Sequence, residues 1–196
     1  MSLNKQDEHD YKRKERWHKR IIAVLLIICV ASVAMNILNA HRDEQIRQIY
    51  MNSIWGNLQS ISVLLNGLYI AIENEDDSLK TVALENLRYT TGMMDTSITR
   101  LSFHQNFNNP TPSMRGVENH VRSLVNQVRE NPADTEVTTA ALDFIVYCLE
   151  EILELIDDLT VVYEDRNEPD YRMNISQFFD RINAFTVNVE NEGENE

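Results

Sequence analysis

The stretch IIAVLLIICVASVAMNIL, residues 21–38, determines how this chain is organised. It contains no charged side chain and only two polar ones, Ser32 and Asn36. As an α-helix its 18 residues would be about 27 Å long, close to the thickness of the hydrocarbon core of a bilayer. A buried helix of a soluble protein normally keeps a polar face, which this stretch lacks. The sequence therefore predicts a transmembrane signal-anchor helix over residues 21–39.

A cleaved signal peptide is the alternative interpretation, because Ser32, Val33 and Ala34 form the small-residue pattern that signal peptidase recognises. Two features favour an uncleaved anchor. The segment before the apolar stretch is 20 residues long and of mixed charge, and the apolar stretch continues beyond Ala34. If cleavage occurred, the product would be a secreted helical protein.

The charges on the two sides of the apolar stretch differ strongly. Residues 1–20 contain seven basic and four acidic side chains, whereas residues 40–196 contain 11 basic and 27 acidic ones. Since positively charged residues stay on the cytoplasmic side, we expect residues 1–20 to be a short cytoplasmic segment and residues 40–196 to lie outside the plasma membrane. The basic residues that we expect to contact anionic headgroups are Lys12, Arg13, Lys14, Arg16, Lys19 and Arg20.

The composition predicts a helical domain beyond the membrane segment. The 196 residues include only 5 Gly and 4 Pro, too few for the turns of a barrel or sandwich. Apolar residues recur every three or four positions, so we predict an all-α fold. In it the membrane helix runs into an extracytoplasmic antiparallel bundle of four to five helices over residues 40–187, followed by an acidic disordered tail over residues 188–196. The formal net charge of −13 argues against nucleic acid as a partner.

Two of the predicted helices show their inward faces clearly. The helix after residue 76 has the stripe Leu79, Ala83, Leu87, Thr90, Met94, Ile98 and Leu101. The helix that Asp134 or Thr135 would cap has the stripe Val137, Ala141, Phe144, Cys148, Ile152, Leu155, Leu159 and Val162. Acidic residues occupy most of the opposite side of this second helix, which is typical of a solvated face.

The sequence contains no recognisable catalytic or metal-binding motif. Beyond the apolar stretch no Glu is followed three residues later by His, and the sequence contains no glycine-rich phosphate loop or nucleophile elbow. Cys148 lies within an apolar stripe, where a cysteine usually acts as a small buried hydrophobe. We therefore expect no enzymatic activity and no cofactor. A ligand-binding bundle would need inward polar groups, for which the candidates are Thr90, His104 and His120.

Residues 48–72 form an uncharged run in a domain that is otherwise rich in acids. The run contains too many Asn, Gln and Ser residues to be a second membrane span. Either this helix lies at the centre of the bundle, where its neighbours cover it, or another chain covers its outer face. For the second case the predicted interaction face is formed by Gln59, Ser62 and Asn66.

The membrane helix carries a similar pattern. Small and polar residues follow three- and four-residue spacing at Cys29, Ser32 and Asn36. Polar side chains in lipid usually face protein, so these residues are the predicted face for pairing with another membrane helix.

An anchor that continues into an extracytoplasmic helical bundle resembles the input half of bacterial four-helix-bundle chemoreceptor sensors. The resemblance is architectural and covers residues 21–38 and 50–72; the sequence shows neither a second span nor a cytoplasmic signalling module. We therefore expect a membrane-anchored interaction protein, an accessory or regulatory subunit that binds other membrane or extracytoplasmic proteins or itself. The alternative is a sensor bundle that binds a ligand and signals through a partner.

The predicted topology can be tested on intact cells. Protease added to cells without a wall should digest residues 40–196 and leave a short membrane-bound fragment, because the basic segment retains the N-terminus inside. Immunoblotting with tags at both ends measures this. Full protection of the C-terminal tag would contradict the predicted orientation.

Overall fold

In the computed structural model, the backbone is described for residues 5–105, 112–164 and 171–193, and side chains for residues 13–103, 112–160 and 176–189. Throughout these segments the regular secondary structure is helical and no strand is present, which confirms the predicted all-α class. The helices are α1 (Lys5–Glu73), α2 (Asp77–Gln105), α3 (Arg115–Glu130), α4 (Thr135–Glu164) and α5 (Tyr171–Gly193).

The chain divides into two units, Met1–Ile46 and Arg47–Glu196, and α1 contributes residues to both. The first unit contains the apolar stretch of α1, which has a mean hydropathy of 2.9 over 18 residues. Its apolar side chains are exposed to the surroundings. By length and composition, α1 is the one helix in the described part of the chain that is able to cross a membrane.

The second unit is a helical bundle with one hydrophobic core. The apolar stripe of α1 from Met51 to Ile72 joins the stripes of α2, α3, α4 and α5 in this core. Helix α3 packs against α2, α4 and α5, and α4 also packs against α5. The predicted inward face of α4 is confirmed, since the following side chains are buried: Ala141, Phe144, Cys148, Ile152, Leu155 and Leu159. Val162 lies outside the residues with described side chains.

The inward face of α2 differs in part from the prediction. Five of the seven predicted residues are buried, but Leu79 is exposed and Thr90 is half-buried. Thr91 and Leu84 occupy buried positions instead. The hydroxyl of Thr91 donates a hydrogen bond to the carbonyl oxygen of Leu87 at 3.0 Å, so burial leaves it satisfied.

Aspartates hold the beginnings of two helices. The Oδ1 atom of Asp134 accepts hydrogen bonds from the backbone N–H groups of Glu136 and Val137 at 3.0 and 3.3 Å, so Asp134 is the cap of α4. Asp95, in the middle of α2, accepts a hydrogen bond from the N–H of Met114 at 2.7 Å. It also accepts one from the hydroxyl of Ser113 at 2.8 Å. Asp95 therefore attaches the start of α3 to α2.

The last helix extends beyond residue 187. The sequence predicts that a disordered acidic tail begins after that residue. Helix α5 continues to Gly193, and Val189 is buried four residues after the buried Phe185. Burial of this extra apolar side chain explains why the helix does not stop at residue 187. Residues 194–196 of the predicted tail lie outside the described residues.

Two adjacent substitutions on α4 test the position of the core. Ile152 is 0% exposed, so Ile152→Asp places a carboxylate in the core at a cost of several kcal/mol, comparable with the total stability of about 5–15 kcal/mol. Leu153 is 53% exposed, so Leu153→Asp should change stability by less than about 0.5 kcal/mol. Thermal melts followed by circular dichroism compare them. Equal melting temperatures would contradict the core position of Ile152.

Candidate functional site

The uncharged segment of α1 has one buried side and one exposed side within the second unit. Ile61, Leu65 and Leu68 are fully buried, whereas Gln59 and Asn66 are exposed. Ser62 is half-buried at the edge between the two sides, and its hydroxyl donates to the carbonyl oxygen of Gln59 at 2.8 Å. Two of the three predicted interaction residues therefore point outward, and described neighbours do not cover this side of α1.

The exposed side of α1 is apolar as well as uncharged. Val63 is 70% exposed, and Ile49, Trp55 and Ile70 are also exposed. A helix side that faces water in a soluble bundle normally carries charged residues, and this one carries none over residues 48–72. We call the exposed side of these residues the outer face of α1.

Gly56 lies within the outer face, and Gly67 lies on its margin. A Cβ atom added to Gly56 or Gly67 would meet no atom within 4 Å outside the helix's own backbone. Glycine in a helix interior costs about 1 kcal/mol relative to alanine. Since the packing of the described bundle does not require these glycines, their small size leaves space for a chain that approaches from outside.

Exposed apolar residues on α2 adjoin the outer face, and the sequence interpretation missed them. Ser53 of α1 and Ser97 of α2 are hydrogen-bonded at 2.9 Å between their Oγ atoms, which marks the contact between the two helices. Met93 lies one turn before Ser97 and is exposed, as is Tyr89, one turn earlier, at 70%. The four-residue spacing of Tyr89 and Met93 is visible in the sequence. However, α2 has apolar residues on two sides, and only the side that faces the core was predicted from the sequence.

The residues predicted for the membrane segment are all exposed where their side chains are described. These are Cys29, Ser32 and Asn36 in the apolar stretch, and Arg13, Lys14, Arg16, Lys19 and Arg20 before it. The side chain of Lys12 lies outside the described residues. A salt bridge of 2.7 Å joins Lys19 to Glu15; its hydrogen bond lowers the pKa of Glu15 and raises the pKa of Lys19.

The candidate ligand-binding residues are engaged locally. The hydroxyl of Thr90 donates to the carbonyl oxygen of Asn86 at 2.8 Å. The ring of His120 packs edge-on against Phe144, with 4.4 Å between the ring centroids. The side chain of His104 lies outside the described residues. Thr90 and His120 therefore have structural roles within the bundle.

An open cavity of about 400 Å³ lies where the end of α1 and the start of α2 meet the end of α3 and the start of α4. Its wall contains Lys80, which is 4% exposed and contacts Asp77 at 3.1 Å. Arg129 also lines it and donates to the Thr81 hydroxyl at 2.6 Å and to the Asp77 carbonyl oxygen at 3.1 Å. Arg129 thus connects α3 with the start of α2, while Lys80 pairs within α2.

An ion pair within α3 also reaches α2. Glu118 is 5% exposed and accepts a hydrogen bond of 2.7 Å from Arg122, one turn further along α3. Arg122 also contacts Glu85 of α2 at 3.2 Å. The hydrogen bond that Arg122 donates to Glu118 raises the pKa of the Arg122 guanidinium above its ordinary value. Similarly, the hydrogen bond between Tyr69 and Glu73 raises the pKa of Tyr69.

Among the described side chains, no three His, Cys, Asp or Glu residues are grouped so that they could hold a metal ion. Comparison with protein-family models, with curated proteins and with solved structures gives no match to this chain. The outer face of α1, together with the adjoining residues of α2, is the candidate functional surface because it exposes apolar side chains and carries no charge over residues 48–72.

The Arg122 ion pair provides a test of the bundle's polar interior. Arg122→Met should destabilise the protein by about 1–3 kcal/mol, because the buried Glu118 carboxylate would lose its hydrogen-bond partner. Arg122→Met combined with Glu118→Gln should recover most of this loss. Urea denaturation of the detergent-solubilised chain measures the free energy of unfolding of the single and the double variant.

The matched control for this pair is Arg115→Met, since the Arg115 side chain is 74% exposed. A surface ion pair contributes about 0–1 kcal/mol, so this variant should remain close to the wild type. A loss for Arg122→Met no larger than that for Arg115→Met would show that the buried pair is unimportant.

Proposed function

We propose that this chain is a membrane-anchored interaction protein, an accessory or regulatory subunit of a membrane-associated assembly. The exposed, uncharged outer face of α1 carries the proposal. The stretch of residues 21–38 anchors the chain in the plasma membrane, with residues 1–20 in the cytoplasm. Residues 40–187 form an extracytoplasmic bundle of antiparallel helices that binds another membrane or extracytoplasmic protein, or a second copy.

The distribution of charge in the second unit supports this proposal. Exposed acids are frequent on α4, including Glu150, Glu154 and Asp157. By contrast, the outer face of α1 exposes Val63 and Ile70 between uncharged polar residues. Apolar side chains beside amides, without charges, are typical of surfaces that become buried on association.

The apolar stretch of α1 supports the membrane location. Its side chains in the described structure are exposed, so protein does not cover them. Water would solvate 18 consecutive apolar residues poorly, whereas lipid would solvate them well. Basic residues on one flank, such as Arg16 and Arg20, support an N-terminus on the cytoplasmic side. N-terminal sequencing of the mature protein distinguishes this anchored form from a secreted one.

Photocrosslinking in native membranes tests the proposed interaction. A photoreactive amino acid at Gln59 or Asn66 should give a crosslinked product, since both side chains point outward from the outer face. The matched control is a probe at Gln127, an exposed glutamine on α3. Mass spectrometry identifies the chain that is attached. If Gln59 and Asn66 crosslink no more than Gln127 does, the outer face is not an interface.

A charge substitution on the outer face tests how strongly this surface contributes to the affinity for the partner. Gln59→Lys should weaken association by about 2–5 kcal/mol, because a lysine would be desolvated without a partner. Gln127→Lys, the same change at an exposed site on α3, should have little effect. Both should melt like the wild type, as neither side chain belongs to the core. Co-purification in mild detergent measures the loss; unchanged yields for Gln59→Lys would contradict the proposal.

A further inference from the structure

Most of the exposed residues between positions 48 and 72 follow a seven-residue repeat, and Trp55 and Ser60 lie beside it. Along α1 the residues of this repeat alternate between apolar or small residues and amides, in steps of three and four: Ile49, Asn52, Gly56, Gln59, Val63, Asn66 and Ile70. All are exposed except Gly56, which is half-buried. This is the spacing of the a and d positions of a two-stranded coiled coil. Helix α1 therefore has a second seven-residue repeat on the side opposite its buried one, with apolar or small residues at one position and amides at the other.

We propose that the outer face of α1 pairs with the same face of a second copy of this chain, the two helices running parallel. This inference rests on the proposed function and specifies its partner. The partner of such a face must itself be uncharged along about seven turns of helix, because a charge opposite this surface would lose its water without gaining an ion pair.

Electrostatic repulsion favours this arrangement over other ways of pairing two copies. Residues 40–196 contain 27 acidic and 11 basic side chains, so two copies repel each other through most of their surfaces. The outer face lacks charge over residues 48–72 and is the place where like-charged copies approach at the lowest electrostatic cost.

The amides of the outer face are self-complementary. A side-chain amide both donates and accepts hydrogen bonds, so Asn52, Gln59 and Asn66 can each pair with the same residue of a second copy. A carboxylate in such a position would meet another carboxylate. Amides at interior positions of coiled coils also fix the register of the two helices. The intervening Val63 and Ile70 supply apolar contact area, and Gly56 allows the backbones to approach closely.

Membrane anchoring determines the symmetry of the pair. Two copies held in one bilayer in the same orientation are related by a two-fold axis normal to the membrane. A residue close to that axis meets its own counterpart at the same height. Val63 and Asn66 both belong to the repeating series, and they should therefore contact Val63 and Asn66 of the second copy.

Disulfide crosslinking in membranes tests this contact. In a Cys29→Ala background, with the buried Cys148 left in place, single cysteines are introduced by Val63→Cys or Asn66→Cys. Oxidation with copper phenanthroline should yield a dimer of twice the 22.8 kDa chain, since thiols near the axis are within disulfide distance. Leu153→Cys, at an exposed apolar site on α4, is the control and should give at least tenfold less dimer. Equal yields would overturn the proposal.

A charge exchange distinguishes a second copy from any other partner. Two tagged forms of the chain are co-expressed, one with Asn66→Glu and the other with Asn66→Lys. Pairs with two glutamates or two lysines should co-purify at least tenfold less than the wild type. The mixed pair should recover at least half of the wild-type yield, because opposite charges then face each other. If it co-purifies no better than the like-charged pairs, Asn66 does not face its counterpart and the proposal is wrong.

The failure of this inference is distinguishable from failure of the proposed function. If a probe at Asn66 attaches only to a different protein, the outer face is an interface but its partner is not a second copy. If a probe at Asn66 attaches to nothing, both proposals are wrong.

Discussion

Burial of the inward stripe of α1 is the contact on which the second unit depends. Leu58, Ile61 and Leu65 lie in the common core and are fully buried. Because this stripe fixes the rotation of α1 about its axis, it also determines which residues face outward. The exposed positions of Gln59, Val63 and Asn66 thus follow from the packing on the opposite side. A surface defined in this way has one orientation on the bundle, which suits the interaction proposed for it.

Polar groups in the bundle serve mainly to connect helices. Asp95 attaches the first residues of α3 to α2, and Arg122 joins the same two helices through Glu118 and Glu85. Lys80 and Arg129 meet near Asp77 at the start of α2. Ionised groups with little exposure are stable only when they are paired, so these contacts specify how α2 and α3 align. Pairing within the bundle therefore accounts for the burial of these polar side chains.

The spacing of apolar residues in the sequence predicted much of the helical fold. It predicted the candidate functional surface only in part. The three- and four-residue steps around Ile152 located the core of α4, since one wide apolar stripe allows one orientation. Helix α2 has apolar residues on two sides, so spacing alone did not show that Leu79 is exposed. The end of α5 was missed because the acids after residue 189 resemble a solvated tail, although Val189 continues the spacing from Phe185. Gln59 and Asn66 could be proposed as outward residues because the absence of charge around them is visible in the sequence. The open space beside Gly56 and Gly67 could be seen only in the structure.

The glycines of α1 have a consequence for how the helix responds to its surroundings. Gly56 and Gly67 weaken helix formation in the chain by roughly 1 kcal/mol each, and the bundle does not use the space that they leave. A molecule that covers this side of α1 binds only the folded helix, so by mass action it would suppress local opening of the segment between residues 48 and 72. The proposed pairing would therefore make the hydrogen-exchange protection of backbone amides in this segment depend on the density of the protein in the bilayer.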